Sequence, residues 1–179
     1  QTVSDLHRTA EPSLRFDGSD VVHVGTTTNY GTKATFSVWI KFDHLDATTS
    51  NREGIIGSDY WSANNFSFHL HDDDTLFFGT GVNIYSKWAM AGHSSGDATH
   101  IKVDTWHHLS LVYDSTETTN ADRARLYVDG VLKTATTVAG TYSGDLKSVG
   151  YGSGDGVGLK IGFAGQHKHV GEMKDVRIH

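Results

Sequence analysis

The sequence predicts an all-β sandwich, and three observations carry that prediction. Apolar residues recur with period two in many short runs. Turn signals separate those runs at intervals of about ten residues, as expected for packed antiparallel sheets. The composition agrees: 20 Gly, a single Pro, and 17 Asp against 4 Glu. Asp favours turns and caps whereas Glu favours helix interiors, and no stretch shows the 3.6-residue period of an amphipathic helix.

The strands read in order as follows. Short strands fit 14-LRF-16 and 21-VVHV-24. In 35-TFSVWIKF-42, Phe36, Val38, Ile40 and Phe42 share one face. A short apolar run, 55-IIG-57, precedes 66-FSFHLH-71, where Phe66, Phe68 and Leu70 alternate with Ser67, His69 and His71. Next comes 75-TLFFG-79, then 106-WHHLSLVYD-114 with Leu109, Leu111 and Tyr113 alternating. In 124-ARLYVDGVLK-133 the pair Asp129-Gly130 is a two-residue hairpin signal, because Gly tolerates the positive φ such a turn demands. The last strands fit 158-GLKIGF-163 and 173-MKDVRIH-179. Irregular segments are expected at 43–53, 80–100, 114–122 and 140–156, and loops of that length on a β scaffold often carry function. No internal repeat or linker divides the 179 residues, a length that suits one domain.

Composition narrows the function. The net charge is −6 and the 15 Lys and Arg are scattered, which argues against a nucleic-acid partner. No apolar run is long enough to cross a bilayer, and no signal peptide is visible. The absence of Cys excludes disulfides, zinc ribbons and thiol nucleophiles. The start at Gln1 suggests a processed product or a piece of a longer chain.

The stretches LRFDGSDVVHV, FSVWIKF, DTWHHLSLVYD, RLYVDGVLK, LKIG and GEMKDVRIH occur in an order that resembles the LamG-like, concanavalin A-like jelly-roll family, from Leu14 to Ile178. The resemblance implies two packed antiparallel sheets, one of them curved, over residues 14–179, with residues 1–13 an N-terminal arm or linker. It also implies a mostly non-catalytic role: a sugar-binding module, an adhesion domain, or a decoration on an enzyme or on a phage or viral surface. An extracellular or surface-displayed setting follows, with neighbouring domains or subunits of a larger assembly as further partners.

Four constellations bear on chemistry. In 66-FSFHLHDDD-74, His69 and His71 project from one strand face and three Asp follow. Convergence on a metal is one reading. The plainer one is a core strand with a polar outer face, ending in an acidic turn. On a ligand face the same histidines can hydrogen-bond sugar hydroxyls as donor and acceptor. Second, Tyr60 with Trp61, and Tyr85 with Trp88, lie beside polar residues: Asp59, Asn64 and Asn65 for one pair, Asn83, Lys87 and His93 for the other. An aromatic plate covers the C–H face of a sugar while polar groups bind its rim. The ligand-binding set expected from sequence is thus Tyr60, Trp61, His69, His71, Tyr85 and Trp88. Trp39 and Trp106 sit inside strand motifs and read as structural.

Third, Asp175 matches a last-strand Asp that binds a structural Ca²⁺ in similar jelly rolls, and Asp17 and Asp20 come near it if the terminal strands pair. Otherwise Asp17 is a turn residue and Asp175 a solvated strand residue. Fourth, retaining glycosidases need two carboxyl groups about 5–5.5 Å apart. Laminarinase-like hydrolases of this fold supply them as E-x-D-x-x-E or E-x-D-x-E, and neither string is present. Glu11, Glu53, Glu117 and Glu172 are isolated, and His107-His108 begins a core strand. No catalytic residue is therefore assigned. The expected function is non-catalytic glycan or polysaccharide recognition. The alternatives are a structural, assembly or adhesion domain, and a lyase or hydrolase using Tyr and His.

Overall fold

The structure, a computed structural model, describes residues 12–24, 28–45, 52–58, 65–71, 73, 75–81, 83–89, 101–148, 158–164 and 167–179. The strands are β1 (Leu14–Asp17), β2 (Val22–His23), β3 (Thr28–Gly31), β4 (Lys33–Phe42), β5 (Glu53–Gly57) and β6 (Phe66–Leu70). They continue with β7 (Thr75–Thr80), β8 (Tyr85–Ala89), β9 (His107–Asp114), β10 (Ala124–Val128), β11 (Val131–Lys133) and β12 (Thr137–Ala139). The last are β13 (Leu146–Ser148), β14 (Lys160–Ile161), β15 (Phe163–Ala164), β16 (His167–Lys168) and β17 (Val170–Ile178). Among the described residues the one helical segment is a 3₁₀ turn, Asn120–Arg123.

Two antiparallel sheets form the sandwich. The six-stranded sheet runs β1-β17-β4-β9-β10-β11 and the seven-stranded sheet β12-β8-β7-β6-β5-β14-β2. Alternation decides what lies between them. Phe36, Val38, Ile40 and Phe42 of β4, Leu109, Leu111 and Tyr113 of β9, and Met173 of β17 face inward from the first sheet. Phe66, Phe68 and Leu70 of β6, Leu76 and Phe78 of β7, and Trp88 of β8 meet them from the second. The expected jelly-roll sandwich is what forms.

The hairpin at Asp129-Gly130 also forms. Both residues take positive φ (51° and 79°), and Val128 pairs with Val131. Asp129 does more than turn the chain. Its carboxylate accepts hydrogen bonds from the His108 amide (2.8 Å) and from His107 Nδ1–H (2.7 Å). His107 Nε2 in turn accepts from the Lys102 amide at 3.0 Å. That pair of bonds makes His107 a structural residue, as the strand reading expected.

Several strands escaped the sequence reading: β3, β12, β13, β16 and, most consequentially, β8. Residues 85–89 lie inside the segment expected to be irregular, yet they pair with β7 on one side and β12 on the other. Trp88 therefore faces the core at 1% exposure, which removes it from the expected ligand set.

β5, β6 and β7 are buried on both faces. One cause is the β15–β16 ribbon, which crosses the outer side of β5. A Cβ on Gly54 would stand 2.1 Å from the His167 carbonyl oxygen and 2.2 Å from the Ala164 amide nitrogen. Only glycine allows two backbones to approach this closely.

Candidate functional site

The outer face of the seven-stranded sheet gathers three of the expected ligand residues. Register aligns His69 of β6, Phe77 of β7, Lys87 of β8 and Thr137 of β12 in one row across the sheet. Phe77 is the centre of an aromatic cluster. His69 stacks on it at 4.6 Å (28° between planes), His71 at 5.5 Å (19°) and Tyr85 at 5.2 Å (24°). His167 of β16 adds a fifth ring, 5.5 Å from His69. Phe77 itself is buried, whereas Tyr85, His71 and Lys87 are half-buried.

A polar network closes one end of the row. Asp73 accepts from Lys87 Nζ and from the Thr75 hydroxyl, and its Oδ1 lies 3.0 Å from His71 Nδ1. Burial works to raise the Asp73 carboxyl. Hydrogen bonds from Lys87 and Thr75, with the charges of His71 and Lys87, overcome that and bring it down to about 2. The turn after β6 is thus an ion-paired corner, and the His71 amide closes it by donating to the Thr75 carbonyl at 2.8 Å.

His69 is the unusual member. Its Nδ1 lies 2.8 Å from Ser67 Oγ, and its Nε2 is buried with no hydrogen-bond partner among the described residues. Burial is the main reason its pKa falls well below the ordinary histidine value; the nearby positive groups of His167, His71, Arg52 and Lys87 push the same way. His69 is therefore neutral at pH 7, with one ring nitrogen able to donate and the other to accept. An orphaned buried polar atom costs about 1–3 kcal/mol.

The remaining expectations fall out as follows. Tyr60 and Trp61, with Asp59, Asn64 and His93, lie outside the described residues. Asn65, expected beside that pair, is fully buried, with its carbonyl accepting from the Gly81 amide. The terminal strands do pair, but the register sets Asp17 opposite Val170, five residues before Asp175 on β17. Asp17 caps its own turn by accepting from the Ser19 amide and hydroxyl. Asp175 sits at a β-bulge with φ 51° and is ion-paired to Arg177 at 2.8 Å. Among the described residues no three His, Asp or Glu side chains are placed to hold a metal. Among the described residues the side chains of Asp17, Asp20 and Asp175 thus do not group as the expected calcium set, and His69 and His71 gather no third ligand side chain.

Nor do the described glutamates make an acid pair. Glu53 is buried between the sheets, 2.9 Å from His169 Nδ1 and 3.3 Å from His44 Nε2. Glu172 pairs with Lys41, and Glu117 with Arg125.

The sequence reading missed one surface. Trp39, expected to be structural, is 37% exposed on the outer face of the six-stranded sheet. The signal was present: Trp39 falls between Val38 and Ile40, on the opposite parity from the core residues of its own strand.

Comparison with known proteins agrees with the architecture. The family described as the concanavalin A-like lectin/glucanases superfamily matches residues 16–179. Domain 4 of the extracellular arabinanase of Geobacillus stearothermophilus, solved with arabinotriose, superimposes with a TM-score of 0.55 at 17% identity, over 93% of this chain and 69% of that one. Domains LG4-5 of mouse laminin α1 give 0.56 at 12% identity, over 93% of this chain and 40% of theirs. The NanB sialidase of Streptococcus pneumoniae gives 0.57 at 14%, over 93% of this chain and 25% of the enzyme. At these identities the likeness concerns the fold alone. No curated protein matches in sequence.

Proposed function

The chain belongs to the concanavalin A-like lectin/glucanase superfamily, and we propose that it is a non-catalytic module that binds a glycan on the outer face of its seven-stranded sheet. The observation that carries this reading is the ring cluster around Phe77. Tyr85 and His71 flank the buried Phe77 with nearly parallel planes, and Lys87 and Asp73 stand at their edge. Stacked rings offer the apolar plate that a sugar's C–H face needs, and the flanking groups offer donors and acceptors for its hydroxyls. Neutral His69, 2% exposed, backs Phe77 from beneath. The arabinotriose bound to a domain of the same fold supports a sugar as the ligand class. The dispersal of Glu53, Glu117 and Glu172 supports binding without hydrolysis. A module of this kind acts outside the cell or on a surface, where its polysaccharide is.

A glycan array probed with the whole chain tests the reading. Specific spots that weaken about tenfold for Tyr85→Ala are expected, the order of one lost stacking contact with its buried area. A blank array, or spots indifferent to Tyr85→Ala, would overturn it. The array is run with calcium and again with chelator. Loss of binding with chelator would show that calcium takes part, and Asp175→Asn would then test the expected calcium residue.

A further inference from the structure

We propose, resting on the glycan reading of the face around Phe77, that this face selects uncharged sugars and that Asp73 makes the selection. One of its carboxylate oxygens accepts a sugar hydroxyl, and its charge turns away a sugar that carries an acid. Asp73 and Lys87 border the rings. Lys87 lies opposite Phe77 in register, and it shares the outer face of β8 with Tyr85, two residues away. Asp73 accepts a hydrogen bond from the Lys87 ammonium. The two ends of this ion pair are not equally open: the Asp73 side chain is 45% exposed and that of Lys87 18%. The carboxylate is therefore the more accessible charge beside the rings.

One lone-pair position on that carboxylate is left over. An ionised carboxylate accepts about four hydrogen bonds, about two at each oxygen. Asp73 Oδ1 faces the Thr75 hydroxyl and His71 Nδ1, and Oδ2 accepts from Lys87 Nζ. Among the described residues Oδ2 thus has room for one more donor, and a sugar hydroxyl is such a donor. An acid-bearing sugar brings the wrong sign of charge to the same edge. The sequence flanks Asp73 with Asp72 and Asp74, so this short segment carries three acidic residues. Asp73 titrates at about 2, so its charge persists through the working pH range. A cationic amino sugar fares no better. Its ammonium at Oδ2 would stand beside Lys87 Nζ, which binds the same oxygen. What fits is a group that donates a hydrogen bond without charge.

The test is a glycan array sorted by charge and probed with the whole chain at pH 8, above the ordinary histidine range. It carries neutral β-glucan, mannan, galactan and arabinan, acidic galacturonan, mannuronan and sulfated galactan, and cationic chitosan. Binding at this face is the binding that Tyr85→Ala weakens. Those spots are expected to be neutral, with the acidic and cationic polymers at least about tenfold weaker in titrations. Asp73→Asn should weaken the best neutral ligand about threefold and narrow its lead over the acidic polymers. A Tyr85-dependent spot on an acidic polymer or on chitosan, as strong as any neutral one, would overturn the proposal and leave the glycan reading standing. So would neutral binding indifferent to Asp73→Asn. A blank array, or spots that Tyr85→Ala leaves unchanged, would overturn the glycan reading and the proposal with it. If Asp73→Asn folds poorly, the wild-type pattern of neutral against charged spots still decides.

Discussion

Tyr85 and Trp88 look alike in the sequence, two aromatic residues in one polar stretch. They stand three residues apart on a strand, so they must point to opposite faces. Tyr85 joins the ring cluster around Phe77, while Trp88 fills the core at 1% exposure. Sequence could not separate them because 85-YSKWA-89 pairs small and charged residues with its rings and shows no apolar alternation. Tyr142 shows the same limit from the other side. It lies in a stretch without strand signals, yet it is fully buried; its hydroxyl donates to the Phe78 carbonyl at 3.0 Å and lies 3.0 Å from Ser86 Oγ. Burial pushes its phenol far above the ordinary range, so the hydroxyl stays a donor at any working pH. Tyr142→Phe removes that donor and should cost about 1–2 kcal/mol. Thermal unfolding checks it, at about 2–4 °C of Tm per kcal/mol for a domain of this size.

At the scale of elements, strands with strict alternation were legible and ribbons were not. β4, β6, β9 and the β10–β11 hairpin could be read because apolar core residues alternate with polar ones on the other face, which writes a period of two into the chain. The single strand read over 158–163 is instead broken into β14 and β15, and β16 could not be read. They are two residues long each, and β15–β16 serves to cover β5 rather than to alternate on its own. The histidine face illustrates the consequence. Sequence placed His69 and His71 opposite the core residues, and the structure agrees, but sequence gave no hint that His69 would be 2% exposed. The cover depends on Gly54, where any Cβ meets the ribbon's backbone. Gly54→Ala should destabilise the protein by about 3 kcal/mol, read as a lower urea midpoint. An unchanged midpoint would mean that the ribbon does not sit on β5.

For the whole molecule the same cluster predicts how stability responds to acid. His69 has a folded pKa well below its unfolded value of 6.5, because burial and the positive groups of His167, His71, Arg52 and Lys87 oppose its protonation. On acidification the unfolded chain therefore takes up a proton that the folded chain resists. Stability is full above about pH 6.5 and falls as the pH drops below it. The carboxylates act lower down. Hydrogen bonds from Lys33 and Thr116 hold Asp114 at about 2, and Asp73 lies at about 2 as well. Their contribution is present above about pH 4 and is lost as the pH approaches 2. Urea midpoints measured from pH 8 to 3 should show two descending stages, and His69→Gln should remove the upper one. A single stage beginning near pH 4 in the wild-type protein would contradict the assignment.

The account rests on a sugar lying against the rings around Phe77. The most direct test is an NMR titration that follows the imidazole signals of His69 and His71 while a glycan identified on the array is added. Saturable shifts are expected at His71, with a smaller one relayed through the stacked rings to His69, and no comparable change at His107. Binding that leaves His69 and His71 unmoved would place the ligand elsewhere on the sandwich and contradict the central claim.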